Sequence, residues 1–242
     1  WDIFQMGGNF PKYENVIEPL DSFIEDGTID VSDTSDNFLS TTQNAEGKQI
    51  GISIGTNTYG IAYDPEMFKE AGISQPTDDW TWEEWKQDCI KIHDKLGIYG
   101  RSKMDNFIAG VTQRISQYEK DANFFKKTNA DYMQMIKELT DKEAYPDAGA
   151  IKEIKDIEGD YLVTEDAAMT WVASNQLASI VNAAGRDIKI APVPRISKDG
   201  AYGMGIQSSQ QFCVSKSSKA KKEAAEFINY FVNDIDANKV LN

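Results

Sequence analysis

The 242-residue sequence has little cysteine and almost no histidine: Cys89, Cys213 and His93 are the whole supply. Two cysteines so far apart make no disulfide framework. With so few thiolate or imidazole ligands, a zinc or other transition-metal centre is not expected, and neither is any other cofactor. Basic residues are scarce as well, 25 against 39 acidic, for a formal net charge of −14. A surface this acidic repels phosphate backbones and anionic lipid, which argues against nucleic-acid binding and against docking on an anionic membrane. Long apolar runs are missing, since nothing approaches the roughly 18 residues that span a bilayer. There is no internal repeat, no low-complexity tract and no Pro/Gly/Ser linker, and no signal peptide is visible in these residues. The opening Trp1-Asp2-Ile3-Phe4 reads as a strand already under way and Leu241-Asn242 as the end of a helix. The expectation is a sequence cut at both ends.

What is present is ordinary for a globular protein, 40% hydrophobic and 26% charged residues. The length suffices for one large domain or two small lobes. Short apolar strands alternate with helices, which places the chain in the α/β class. Strands are expected at 2–6, 50–55, 59–63, 167–172, 188–193 and 211–215. Gly7-Gly8-Asn9 breaks the first, and such a break at the C-terminal end of a strand is a common ligand position in α/β sheets.

Helix signals are sharper. Asp64 caps a helix that Pro65 opens and Gly72 closes, with Met67 and Phe68 facing inward. Thr81 and Glu84 form a capping box, and Trp82, Trp85, Cys89, Ile92 and Leu96 follow as one apolar stripe up to Gly97. That stripe assigns both tryptophans to the core. Tyr132, Met135, Ile136 and Leu139 mark a helix over 131–140, and a further helix over 174–184 ends at Gly185. The last helix starts near Ser218 and is expected to bury Ala224, Phe227, Ile228 and Phe231.

Enzyme motifs fail on context. Gly51-Ile52-Ser53-Ile54-Gly55 matches a nucleophile elbow in letters, but the strand alternation runs straight through Ser53 and no helix follows. Gly203-Met204-Gly205 lacks the third glycine of a dinucleotide fingerprint, and the acidic stretch from Glu25 to Asp36 lacks calcium-loop spacing. Carboxylate pairs for glycoside hydrolysis are too easily found among 39 acids to count. The adjacent Glu165 and Asp166 diverge if that segment is extended.

Several segments together resemble the extracellular solute-binding proteins that include maltose-binding protein. They are Asp2 to Gln5 with Phe10 to Tyr13 and Val16 to Asp21; Gly51 to Asp64 with Met67-Phe68 and Ala71-Gly72-Ile73; Pro76 with Thr81 to Glu84; Glu165 to Thr170; and Pro192, Pro194, Ser215 to Lys219 and Ala225 to Ile228. Each piece is short, but their order and spacing run over nearly the whole chain. Ser53 stands where the family often has proline, and Asp64 where it usually has asparagine. The tryptophan often found a few residues past Ala168-Met169-Thr170 is absent; Asn175 sits near that place and Trp171 earlier.

The resemblance implies two α/β lobes joined by crossover strands with a ligand cleft between them, the first lobe being 1–57 plus 204–242 and the second 58–203. It implies capture of a small solute, most of all a mono- or oligosaccharide, by an extracytoplasmic, periplasmic or lipid-anchored bacterial protein. Such a protein is not an enzyme, acts as a monomer and hands its ligand to an ABC-type permease. Ligand contacts carried over residue by residue are Gln5, Gly7, Asn9, Asn57, Tyr59, Asp105, Asn106, Phe107, Trp171, Asn175, Met204, Gly205 and Gln207. Amides and carboxylates pair with sugar hydroxyls, and aromatic rings cover apolar sugar faces. A polyamine, peptide or metal chelate is the other solute class to weigh, and a glycan-active enzyme or a surface adhesin the other function on such a fold.

Overall fold

The computed structural model describes residues 1–7, 10–102, 122–200 and 207–241. In chain order the elements of the first half are β1 (Ile3–Met6), β2 (Ile17–Glu18), α1 (Asp21–Glu25), α2 (Asp36–Leu39), β3 (Ile52–Ser53), β4 (Thr56–Asn57), β5 (Tyr59–Tyr63), α3 (Pro65–Glu70) and α4 (Trp82–Leu96). Then come α5 (Ala122–Asp141), α6 (Ala148–Glu153), β6 (Met169–Ala173), α7 (Leu177–Ala184), β7 (Lys189–Ala191), β8 (Gln207–Ser208), β9 (Gln211–Ser215), α8 (Lys221–Asn233) and α9 (Ile235–Leu241). The chain divides into two compact units, Trp1–Asn57 with Ile206–Asn242, and Thr58–Gly205.

The first unit is organised by β9. β1 runs antiparallel along one edge, with Phe4 opposite Cys213 and Met6 opposite Gln211. β2 and β3 share the other edge, Ile17 opposite Ser215 and Ile52 opposite Phe212. Side chains alternate across the strand, so Val214 packs with Leu20, Ile29 and Ile228 while Cys213 packs with Ile17 and Ile50. The apolar stripe of α8 is only partly buried. Ala224, Ala225 and Ile228 are covered, but Phe227 remains 47% exposed and Phe231 is half-buried. The buried line is rotated towards Ala225, which leaves Phe227 on the margin, where its ring packs with Phe212 and Phe231.

In the second unit β5 is the middle strand of an antiparallel three-stranded sheet, with Tyr59 opposite Ala173, Tyr63 opposite Met169 and Ile61 opposite Ala191. Both faces are buried. Ile61, Tyr63 and Met169 meet Trp85, Cys89 and Ile92 of α4 and Tyr132 and Leu139 of α5. Ala62 and Val172 meet Leu162, Ile180 and Ile188 on the other side. α4 forms as its sequence dictates: the capping box of Thr81 and Glu84 is closed, and Gly97 ends the helix at φ 71°. Trp82 and Trp85 are core residues, and Tyr132 lies edge-on to Trp82 at 5.0 Å.

Three strands are shorter than the expected 50–55, 167–172 and 188–193. Their partners set the ladder length: Ile54 N–H still donates to Gln210 O at 2.9 Å beyond β3, and Ala168 N–H is taken by Tyr99 O at 3.2 Å before β6 begins. Residues 174–184 open with a 3-10 turn, Ser174–Gln176, before α7. Glu165 and Asp166 lie in a turn rather than in extended chain, Glu165 at φ 67°. No helix of the described residues is long and apolar enough to cross a membrane.

Polar groups inside this unit are closely tied. Asp64 Oδ1 accepts from Glu66 N and Met67 N and so caps α3, while its Oδ2 accepts from Arg186 Nε at 2.7 Å. Arg186 also donates to the carbonyls of Leu162, Val163 and Ala184. Asp88 accepts from Trp80 Nε1 at 2.9 Å. Burial raises its carboxyl from 3.8 to about 6, the Trp80 bond opposes that rise, and Glu84 adds to it.

Three stability predictions follow from this packing. A Cβ on Gly100 would stand 2.3 Å from Cys89 Cα, so Gly100→Ala should cost about 3 kcal/mol or abolish folding, read by urea denaturation. Asp64→Asn keeps a capping oxygen but leaves Arg186, whose side chain is 22% exposed, without its counter-charge. It should cost about 3 kcal/mol, although asparagine is the residue usual at this place in the resembling family. Asp88 titrates higher folded than unfolded, so its contribution favours the fold fully below pH 3.8 and is lost as pH rises through about 6. Asp88→Asn should therefore stabilise at pH 7.5 by about 1 kcal/mol, after discounting for partial solvation, and by almost nothing at pH 3.5. A gain of equal size at both pH values would contradict this.

Candidate functional site

Four of the expected contacts lie on backbone of the first unit. Gln5 is on β1 and exposed, and Gly7 follows the strand end. Met6 and Ser53 are both register partners of Gln211, so the ends of β1 and β3 lie in one row across β9. From that same end the chain passes through Gly55 into β4, where Asn57 is paired with Gln207 of β8. Ser53 Oγ donates to Gly55 O at 2.7 Å and accepts from Ser208 Oγ at 2.9 Å. A strand, not a helix, follows Ser53, and its hydroxyl braces this two-stranded ribbon. Asn9, Asp105, Asn106, Phe107, Met204 and Gly205 lie outside the described residues.

The second unit brings together Tyr59 and Trp171, with Asn175 two residues past the end of β6. Tyr59 opens β5 opposite Ala173, the last residue of β6, and Trp171 lies two residues before it on the same face. The two rings stack, with centroids 4.7 Å apart and planes 19° from parallel. Both are half-buried and rest on the larger core of this unit. Asn175 is exposed on the 3-10 turn that leaves β6. That turn is pinned to the start of β5 twice: Thr58 N–H donates to Ser174 Oγ at 3.1 Å, and Ser174 N–H donates to Thr58 O at 2.9 Å. The clamp fixes the backbone of the turn that carries Asn175 against the start of β5. Gly60 makes this end possible, because a Cβ there would stand 2.9 Å from Ala191 O.

Such an end offers an aromatic pair supported from beneath and an amide with both donor and acceptor capacity. Among the described residues there is no group of three or more His, Cys, Asp or Glu placed to hold a metal. Cys89 and Cys213 are buried free thiols, both pushed up to about 12 by burial, and so poor nucleophiles. Two features escape a reading of the sequence. The pairing of Tyr59 with Trp171 depends on strand register, and the Ser174 clamp has no signal beyond a serine near a strand end.

The fold is that of solved solute-binding proteins. An ABC substrate-binding protein from Listeria monocytogenes, in complex with cycloalternan, matches at TM-score 0.76 and 20% identity over 98% of this chain and 62% of that one. A periplasmic oligogalacturonide-binding protein from Yersinia enterocolitica, in complex with saturated digalacturonic acid, matches at 0.73 and 18% over 99% and 63%. The GacH receptor of Streptomyces glaucescens, solved unliganded and with acarbose, matches at 0.69 and 19% over 95% and 60%. The chain thus spans about three fifths of the length of these structures. The family model for bacterial extracellular solute-binding proteins matches residues 1–236, and the chain belongs to that family.

Proposed function

We propose that the protein captures a mono- or oligosaccharide outside the cytoplasm, as a periplasmic or lipid-anchored protein, and delivers it to the permease of an ABC-type importer without chemically changing it. The observation that carries this reading is the Tyr59–Trp171 stack, at the end of the sheet from which the clamped turn bearing Asn175 leaves. An apolar sugar face gains from covering aromatic carbon, and the ring pair gives up little conformational freedom in doing so. Sugar hydroxyls need partners that both donate and accept, which the amide of Asn175 supplies. Gln5, Gly7, Asn9, Asn57, Asp105, Asn106, Phe107, Met204, Gly205 and Gln207 complete the proposed contact set. The carbohydrate ligands of the three solved relatives support the same ligand class.

Isothermal titration of the chain against a panel of mono- and oligosaccharides tests the proposal. One sugar class should bind with 1:1 stoichiometry, and Trp171→Ala should weaken it about tenfold to a hundredfold with the fold intact by circular dichroism. The cognate sugar at one hundred times its dissociation constant should raise unfolding free energy by about 2.7 kcal/mol. Silence across the panel together with saturable binding of another solute would remove the sugar from the proposal.

A further inference from the structure

In the first unit β4 and β8 form a ribbon only two residues long on each side, Thr56 opposite Ser208 and Asn57 opposite Gln207. So short a two-stranded ribbon buries almost nothing and does not hold its own shape in water. Its geometry has to be set at its root, where the chain leaves β3 and where it enters β9.

The root is a hydrogen-bond junction around Ser53. Two backbone bonds close it: Ile54 N–H donates to Gln210 O at 2.9 Å, and Ser209 N–H donates to Gly55 O at 3.0 Å. Ser53 Oγ donates to the same Gly55 O at 2.7 Å and accepts from Ser208 Oγ at 2.9 Å, with Gln210 O a longer alternative acceptor at 3.4 Å. Gly55 O therefore uses both of its lone pairs within the root. One hydroxyl thus ties the end of β3 to the entrance of β4 and to β8. The place calls for a group that donates and accepts at once on a one-carbon stem, which serine and threonine supply. Beneath it the sheet is tight. Gln211, the register partner of Ser53, is 2% exposed, and a Cβ on Gly51 would stand 2.9 Å from its Cδ. The root therefore stands on close-packed strands and passes their order to the ribbon.

We propose that Ser53 is a positioning residue for ligand capture: its hydroxyl fixes the β4–β8 ribbon so that Asn57 is held in one backbone geometry before the ligand arrives. This rests on the carbohydrate reading above, in which Asn57 is a contact. A ribbon ordered in advance adds no ordering cost to the binding step, whereas an unbraced one is ordered at the expense of affinity.

Calorimetric titration with a sugar panel that includes glucose, galactose, maltotriose and xylotriose tests the proposal, together with amide exchange of the sugar-free protein followed by NMR. Ser53→Ala should weaken binding of the sugar that the parent takes by about threefold to tenfold. It should also speed exchange of the Ile54 and Ser209 amides at least about threefold, with the thermal midpoint within about 2 °C of the parent. Ser53→Thr should recover both, since a cavity of about 250 Å³ bordered by Ser53 and Thr42 has room for the added methyl. In an Asn57→Ala background, Ser53→Ala should weaken binding by less than about twofold more, because the brace acts through Asn57. The proposal is overturned if Ser53→Ala leaves amide exchange unchanged, if it binds sugar as the parent does, or if its penalty multiplies in full with that of Asn57→Ala. A parent that binds no sugar of the panel sinks the carbohydrate reading alone, and the exchange of Ile54 and Ser209 then decides the brace.

Discussion

The antiparallel register of β5 against β6 is the constraint on which the second unit depends. β5 is the middle strand, and both of its faces are buried, so each side chain has one admissible side. A slip of one residue would send Ile61 and Tyr63 into the space of Ala62 and would pull Tyr59 away from Trp171. Register is thus held by two cores at once, and the aromatic stack at the strand end inherits its geometry from packing deeper in the sheet. Gly60 belongs to the same constraint, since only a residue without Cβ allows β7 to approach β5 so closely there.

Around that sheet, several buried polar groups are held in shared networks. Asp64 serves as helix cap and as counter-ion of Arg186, which in turn ties Leu162, Val163 and Ala184. Asp160 accepts from Leu162 N and from Thr170 Oγ1 under the second face of the sheet. Such groups add little net energy over a well-packed apolar core, but they penalise every arrangement that leaves one of them unpaired. They make the loops that follow β5 and precede β6 as specific as the strands themselves. Asp88 is a carboxyl held high by burial, with one tryptophan donor to offset it.

Local signals in the sequence determined the pieces: the capping box and closing glycine of α4, the Asp64-Pro65 start of α3, and the assignment of Trp82, Trp85 and Cys89 to the core stripe. They are legible because caps and periodic stripes are made by residues a few positions apart. Family likeness carried Tyr59, Trp171 and Asn175 into the candidate list as separate residues. Only the tertiary structure decided that Tyr59 and Trp171 form one stacked surface, that Arg186 answers Asp64, and that Phe227 sits on a margin instead of in the core. Each of these depends on strand register or helix rotation, and those are set by contacts between residues far apart in the chain, for which no local pattern stands in.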